Sequence, residues 1–345
     1  MVRGLLPSLS KEGCSLFDTK MQKIEGIVMR HFKYLIFLSF LLMGFLPVFG
    51  EEEVTIRLYY PDGQKMRYKN SYSIEYFSDR AELILMEPGS ISIGFDGEWK
   101  SWETVKKFTP DTGVAFQDGE IGIVATIEKA DSRALFAEGR LTYEQYPYTL
   151  DLLKGREFSW RILPNGQIHQ FKPNFRLREV KREDLVTDIF QFWMPEFSPV
   201  LPEGVITVGD TWTGSRTFER NFESLDWMGK KSRMEFTSTY EIKKIKEKKG
   251  RKEITIKESR VLHYSGWFDI NFISLYVDGP GKGIGEWVID LKRGVVVQHK
   301  MRFDLDRPEV TKLGAQKPLD DIGAEVKISF SRKLEKFQNQ KTKAQ

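Results

Sequence analysis

Residues 199–214, PVLPEGVITVGDTWTG, decide the fold prediction because they separate two long runs of alternating residues. The prolines of this stretch keep the backbone out of a helix, and Gly209 followed by Asp210 suits a tight turn. Trp212 comes next, as a large apolar side chain that begins the second run. On both sides apolar and polar residues alternate with a period of two, which is typical of half-buried β-strands. The stretch therefore predicts a junction between two β-rich halves.

The alternation is clearest at residues 234–242, MEFTSTYEI, where four large apolar side chains share one face. Residues 94–113 are less regular and predict an irregular tract. The other predicted strands are 54–60 and 66–76 as a hairpin, 81–86, 119–127, 140–150, 157–163, 167–171, 253–262, 295–305 and 324–330. This pattern predicts a mainly β fold, an antiparallel curved sheet shaped as a half-barrel or barrel and built from two similar halves.

The halves have predicted bounds. Residues 51–198 form the first half, residues 199–333 the second, and residues 334–345 a flexible polar tail. Within the first half, REDLVTDIFQFWM at 182–194 places its apolar side chains on one helical face. We predict one short amphipathic helix here that covers the sheet and ends at Pro195.

Two segments of the second half resemble binding motifs. GPGKGIG at 279–285 leads into a strand-like run, whereas a phosphate-binding glycine loop must open a helix. Its glycines are instead expected to allow a bulge or tight curvature. The basic run KEKKGRK at 246–252 is predicted to be a hairpin turn, either a solvated loop or an anion-binding patch.

The N-terminus has the layout of an export signal. A short basic region begins at Met29, and fifteen mostly apolar residues follow at 35–49. We predict that 29–50 is a signal peptide, that 1–28 reflect an over-long start, and that the protein is extracytoplasmic, either periplasmic or secreted. An uncleaved anchor is the alternative, but the apolar run is short for a membrane span of about 20 residues. After cleavage no membrane span is expected.

Composition excludes several classes of function. Lys and Arg number 53 against 49 Asp and Glu, and most of this small excess lies in residues 1–50, which are expected to be absent from the mature chain, so no nucleic-acid footprint is expected. The single cysteine, Cys14, also lies there, which excludes a disulfide or thiol nucleophile from the mature chain. The sequence contains no serine-nucleophile elbow and no pair of histidines at ligand spacing, so we expect no catalytic residue, metal or cofactor.

Tryptophans are the candidate site and anchor residues. Trp99 and Trp102, in GEWKSW, either stand at the mouth of a ligand pocket or fill the end of the barrel. Trp160 and Trp287 are expected to be structural, together with Gly209, Asp210 and Trp212. Trp160 and Trp287 each begin one copy of a weak strand–turn–strand repeat. The repeat reflects either duplication or common turn chemistry. The matching residues are Trp160, Ile162, Gly166, Lys172 and Phe175, and Trp287, Ile289, Gly294, Lys300 and Phe303.

The junction also carries a resemblance. LPEGVITVGDTW at 201–212, preceded by a short amphipathic segment and followed by hairpins and the GxGxW run at 283–287, resembles an uncharacterised family of exported bacterial β-rich proteins. The similarity covers about residues 180–305. More distantly, the chain is similar to the curved half-barrels that carry lipoproteins or lipids across the periplasm. These resemblances imply a fold and a compartment, and no functional residue is transferred from them.

Three functions remain after these exclusions. The first is a non-enzymatic carrier that holds a lipid or another hydrophobic ligand in an apolar groove. The second is a cell-envelope scaffold or protein-interaction module that binds an envelope protein through the edge of its sheet. The third, a hydrolase of envelope polymers, requires two close carboxylates that no motif selects. An apolar cavity favours the carrier, whereas a fully packed interior favours the scaffold.

Overall fold

The structure, a computed structural model, describes residues 52–80, 89–106, 119–138, 141–145, 153–174, 193–220, 232–248, 250–270, 273–312 and 323–338. Thirteen strands in these ranges form one antiparallel sheet, which confirms the mainly β prediction. The strands are β1 (Lys65–Ser78), β2 (Ile91–Lys106), β3 (Ile121–Glu138), β4 (Leu141–Gln145), β5 (Glu157–Ile162), β6 (Ile168–Pro173), β7 (Thr211–Arg220), β8 (Ser232–Lys248), β9 (Arg251–Ile270), β10 (Ile273–Asp290), β11 (Val295–Leu305), β12 (Glu309–Lys312) and β13 (Glu325–Gln338).

The strand order puts β6 and β7, the strands on either side of the chain junction, at the two edges of the sheet. The order is β6-β5-β3-β2-β1-β13-β11-β10-β9-β8-β7, while β4 pairs with β3 and β12 pairs with β10. The first and last strands, β1 and β13, pair in the middle and join the two halves. Because β6 and β7 are the edges, the sheet is open, and the segment between them links one edge to the other.

Alternation along the strands defines one buried face, which we call the inner face. In β1 it carries Met66, Tyr68, Tyr72 and Tyr76, all buried. Inner-face residues from both halves of the sheet pack into one hydrophobic cluster, and a second cluster lies around Ile256. The sheet is therefore curved so that its inner face forms the core.

The glycines of β10 are the ones expected to allow a bulge or tight curvature. Gly279, Gly281, Gly283 and Gly285 alternate along the inner face, and a Cβ at Gly283 would lie 2.8 Å from the Cβ of Phe303. The pairing of β10 with β9 runs without a register shift through all four glycines. No bulge therefore occurs at these four glycines, where neighbouring atoms occupy the space that a side chain would fill, and their role in tight curvature stays a prediction.

A segment from Trp193 to Leu201, which we call the crossing segment, covers the inner face. It contains a short 3₁₀ turn at Met194–Phe197. Every residue of the crossing segment is buried. Most of the helix predicted at 182–194 lies outside the described residues. The described part supplies a covering element, in which Trp193 stacks on Phe330 with ring centroids 5.0 Å apart.

Several predicted boundaries are wrong. The tract expected to be irregular at 94–113 contains β2, because Gly94 and Gly97 hide its alternation. The strand predicted at 54–60 makes only an isolated bridge between Val54 and Ile206. The tail expected from residue 334 continues as β13 to Gln338, since it pairs with the start of β1. The strand predicted at 81–86 lies outside the described residues.

The two copies of the sequence repeat occupy different places. The copy that begins at Trp160 forms β5 and β6 at the edge of the sheet, whereas the copy that begins at Trp287 belongs to the β10–β11 pair in its interior. From the centre of the sheet outward, the strand numbers rise from β1 to β6 in the first half and fall from β13 to β7 in the second. This strand order is compatible with duplication and with common turn chemistry alike.

Candidate functional site

A buried carboxylate fixes the crossing segment to the sheet. Glu196, in the 3₁₀ turn, accepts hydrogen bonds from Arg260 Nη1 at 2.5 Å and Nη2 at 3.3 Å. Its Oε2 lies 2.7 Å from His299 Nε2. Arg260 stands on β9 and His299 on β11, so two strands of the second half hold one segment. All three side chains are almost completely buried.

A second carboxylate extends this cluster across the sheet. Glu258 accepts a hydrogen bond from Arg260 Nη2 at 2.9 Å and another from Trp287 Nε1 at 2.7 Å. Ser238 also donates to Glu258. The ring of Trp287 stacks on His299, with centroids 3.4 Å apart. The cluster therefore satisfies its charges internally, as buried ionic groups must.

A separate ion pair lies against Phe197, the residue after Glu196 in the crossing segment. Arg332 on β13 donates to Glu103 at 2.6 Å and to Asn70 at 3.1 Å. Its guanidinium lies 3.6 Å from the ring centroid of Tyr68 and 4.7 Å from that of Phe197. Burial would lower the pKa of Arg332, but the Glu103 carboxylate raises it overall. This arginine therefore stays charged and holds the crossing segment through Phe197.

The charge state of Glu196 makes stability depend on pH. Burial alone would raise its pKa, but Arg260 and His299 together lower it to about 2. The carboxylate therefore stabilises the fold fully above its ordinary pKa near 4.5. This contribution is lost as the pH falls from about 4.5 to about 2, and the shift corresponds to about 3 kcal/mol.

As the pH falls from about 4.5 to about 2, we expect the free energy of unfolding to decrease by about 3 kcal/mol more in the wild type than in the Glu196→Gln variant. Glutamine keeps the shape of the side chain but has no titratable carboxyl group. Urea unfolding between pH 2 and 7 measures the difference. Parallel pH profiles for the two proteins would contradict the assignment.

Among the described residues, a third arginine, Arg216 on β7, donates hydrogen bonds to backbone oxygens alone. It donates to the carbonyl oxygens of Pro195 at 2.9 Å, Ser198 at 2.8 Å and Gly166 at 3.3 Å. Its Nε is buried without a hydrogen-bond partner among the described residues. Burial lowers the pKa of Arg216. Within the described ranges no carboxylate forms an ion pair with this cation.

Arg216 lines a cavity between the two edge strands, which we call the seam cavity. The seam cavity has a volume of about 510 Å³, within the range of small-molecule sites. Residues of β6, β7 and the crossing segment contribute to it. The apolar lining consists of Leu163, Ile168, Phe171, Met194, Pro195 and Phe218, and the polar lining of Gln167, His169, Gln170, Ser215, Arg216 and Thr217.

The two edges of the seam differ. In β6, the pairing with β5 shifts register and Gln170 has a φ of 52°, which is uncommon for a residue other than glycine. His169 Nε2 next to it lies 2.5 Å from the buried Glu120 carboxylate. In β7, the pairing with β8 continues through all ten residues without a shift. Both edges contribute side chains to the cavity lining, the irregular β6 as well as the regularly paired β7.

The two candidate ligand residues do not share a site. Trp99 is 1% exposed on the inner face and packs near Tyr72 and Phe330, with centroid distances of 6.3 and 6.1 Å. Trp102, three residues further along β2, lies on the opposite face and is half-buried. Neither lines the seam cavity. Trp99 is a core residue, and the pocket mouth stays a prediction.

The junction residues form the turn that precedes β7. Gly209 has a φ of 97°, which favours glycine. Asp210 Oδ2 accepts a hydrogen bond from the Thr207 amide at 2.7 Å and so closes the turn. Trp212 is half-buried, donates to the Val200 carbonyl at 2.9 Å and stacks on Tyr240. These contacts connect the turn to Val200 of the crossing segment and to Tyr240 of β8.

The remaining anchors and the charged cluster show what sequence reasoning missed. Trp160 and Trp287 are both buried, and Trp287 is also a donor to Glu258. The alternation of apolar and polar residues did not identify Arg216 and Arg260 as residues of the inner face. A signal was present, since Glu258 and Arg260 stand at the inward positions of β9, where the alternation calls for apolar side chains.

The described residues contain no group of three or more His, Cys, Asp or Glu side chains that could hold a metal ion. Their helical segments are also too short or too polar to cross a bilayer.

Comparisons with known proteins give a distant likeness only. No family model and no curated protein matches the chain. A solved lipovitellin structure, concerned with lipid–protein interactions, aligns with 83% of this chain at 10% identity and a TM-score of 0.44, and the chain spans 26% of its length. A protein of YmcC-like fold from Bacteroides fragilis aligns at 8% identity and a TM-score of 0.23, covering 83% of this chain and all of its own.

DynF, from the dynemicin biosynthesis pathway of Micromonospora chersina, is also similar. It aligns with 83% of this chain and 86% of its own at 8% identity, with a TM-score of 0.21. Because these scores are low, the proposals below rest on the geometry of the chain itself, and the suggested exported family remains a prediction.

Proposed function

We propose that the protein is an extracytoplasmic, non-enzymatic carrier that binds an amphipathic anion, such as a fatty acid, in the seam cavity. Arg216 is the observation that supports this proposal, because it is a partly buried cation beside apolar side chains and has no carboxylate partner in the described ranges. A ligand carboxylate in the seam cavity would supply the missing counter-charge, and its chain would pack against residues such as Phe171 and Phe218.

The inner face itself is an unsuitable ligand site. The crossing segment fills it with Trp193, Met194 and Phe197, and its buried charges are already paired. We therefore propose that the ligand binds at the seam rather than in a groove of the inner face.

Replacing Arg216 by glutamine is expected to weaken oleate binding by about ten- to a hundredfold, because a charge-assisted hydrogen bond is lost. Binding of oleyl alcohol, which has no carboxylate, should change much less. Isothermal titration of delipidated protein with both ligands measures the effect. Arg302→Gln is the matched control, since Arg302 is exposed on the outer face and does not line the seam cavity.

The wild-type protein alone also tests the proposal, in case Arg216→Gln perturbs the crossing segment. Wild-type protein should prefer oleate to oleyl alcohol. Equal affinity for the two ligands, or no binding of either at about 1 mM, contradicts the proposal. Native mass spectrometry of protein purified from its own host should show a bound amphipathic anion.

The edge of β7 supports a second candidate function, that of an interaction module. Its outer row of Thr211, Thr213, Ser215 and Thr217 is exposed and contains no lysine, proline or bulge that would discourage strand pairing. An extended peptide added to β7 would enter the same seam. Competition between such a peptide and oleate would show that both use this edge.

A further inference from the structure

The tip of the β8–β9 hairpin concentrates the positive charge of the chain. Residues 243–253 carry seven Lys or Arg side chains against two Glu, a net charge of +5, whereas the whole chain has a net charge of +4. The rest of the molecule is therefore slightly acidic. If the hairpin tip served only to keep the protein soluble, its charges would not need to be concentrated in one segment and of one sign.

Three lysines at this tip are available to an external partner. Lys244, Lys246 and Lys248 are exposed, and none forms an ion pair within the described ranges. Lys248 pairs across the hairpin with Arg251, so two like charges face each other. Such a pair destabilises a hairpin by itself, and an external anion would relieve the repulsion.

Exposed apolar side chains lie at the same end of the sheet. The loop before β7 reaches this end because the Gly209 amide donates to the Ile242 carbonyl at 2.9 Å. In that loop Val205 is 59% exposed and Val208 is 45% exposed. Large apolar residues beside a strongly basic segment are typical of surfaces that contact a lipid headgroup region.

The N-terminal segment adds to this surface. Lys252 pairs with Glu52 at 2.6 Å, and the Tyr59 amide donates to the Gly294 carbonyl at 3.0 Å in the β10–β11 turn. Tyr59 is 66% exposed, and a tyrosine is suited to the interface between water and lipid. We call Tyr59, Val205, Val208 and residues 243–253 together the basic end.

We propose that the basic end docks the protein onto an anionic lipid bilayer. The lysines would lie against acidic headgroups while the valines and Tyr59 enter the interface. The occupant is a lipid surface rather than a soluble polyanion, because a soluble polyanion would gain nothing from exposed valines. This inference does not depend on the seam cavity, which lies between β6 and β7 and contains no residue of the basic end.

The test is co-sedimentation of the exported, processed protein with vesicles. Wild-type protein should bind vesicles of phosphatidylcholine that contain about 30% phosphatidylglycerol, because their negative surface potential attracts polybasic segments. Replacing Lys244, Lys246 and Lys248 by glutamine should weaken this binding about a hundredfold. The matched control replaces Lys257, Lys282 and Lys300, which are exposed on the outer face of the sheet, and should have little effect.

A second variant tests the apolar contribution. Val205→Ser with Val208→Ser leaves the charge unchanged and should still weaken vesicle binding severalfold. Equal effects of the two lysine triples would overturn the proposal, and so would equal binding to pure phosphatidylcholine. Vesicle binding of the valine variant at the wild-type level would remove the argument for a lipid surface. Competition by polyglutamate for the basic end, as strong as that by vesicles, would do the same, and the partner would then be a soluble polyanion. Oleate titration of the same variants should be unchanged, which separates this test from that of the seam cavity.

Discussion

Replacing Gly283 by valine should lower the free energy of unfolding by at least about 3 kcal/mol, and a failure to fold would be the extreme of the same effect. A Cβ at this position would lie 2.8 Å from Phe303 Cβ and 3.0 Å from the Arg302 carbonyl oxygen. Both contacts belong to the neighbouring strand β11, which cannot retreat without breaking its ladder with β10. The clash therefore strains the packing between β10 and β11.

Urea unfolding of a graded series measures this effect. Gly283→Ala should be destabilised less than Gly283→Val, since only the Cβ is added. Ile284→Thr is the matched control, because Ile284 follows on the outer face, is 64% exposed and should change stability by no more than about 0.5 kcal/mol. If Gly283→Val proved as stable as the control, the side chains of β11 would not lie over β10 as described.

Replacing Arg260 by methionine should cost about 3–5 kcal/mol, because it leaves two carboxylates buried without a cation between them. In the wild type this guanidinium contacts both Glu196 and Glu258 and lies 4.0 Å from the ring centroid of Phe236. Methionine preserves most of the apolar stem of the arginine side chain, so the decrease in stability reflects mainly the loss of the guanidinium charge. Chemical denaturation at pH 7 provides the measurement, with the exposed Arg302→Met as control.

The pH dependence distinguishes lost charge pairing from lost packing. In Arg260→Met the pKa of the buried Glu196 carboxylate should rise because its arginine partner is gone, so stability should increase as the pH falls from 7 towards about 5. The wild type should show no such gain, since Glu196 has a lowered pKa. Adding Glu258→Gln to Arg260→Met should recover part of the stability. A variant that lost stability equally at every pH would indicate a packing defect alone.

The strands were predictable because alternation is a local property. In β8 the residues Met234, Phe236, Tyr240 and Ile242 point inward as the pattern requires. The pattern failed in β2, where Gly94 and Gly97 interrupt the apolar positions although the strand continues through them. It also failed at residues 54–60, which lie against the ends of other elements and make only one bridge.

The candidate site was less predictable because it depends on contacts between distant residues. Nothing near Arg216 in the sequence indicates that it binds the carbonyl oxygens of Pro195 and Ser198. Glu196 lies 103 positions from His299. Trp99 and Trp102 looked like a pair because they are close in sequence, yet a spacing of three puts them on opposite faces of a strand.

The sequence by itself determined the class of fold, the place of the junction and the turn that Gly209 and Asp210 form, since these follow from alternation and from local backbone preferences. Only the tertiary structure decided that the junction runs between the two edges of one sheet, because strand order depends on pairings between distant segments. It also decided that the crossing segment packs against the inner face and that a cavity lies at the seam between the two edge strands.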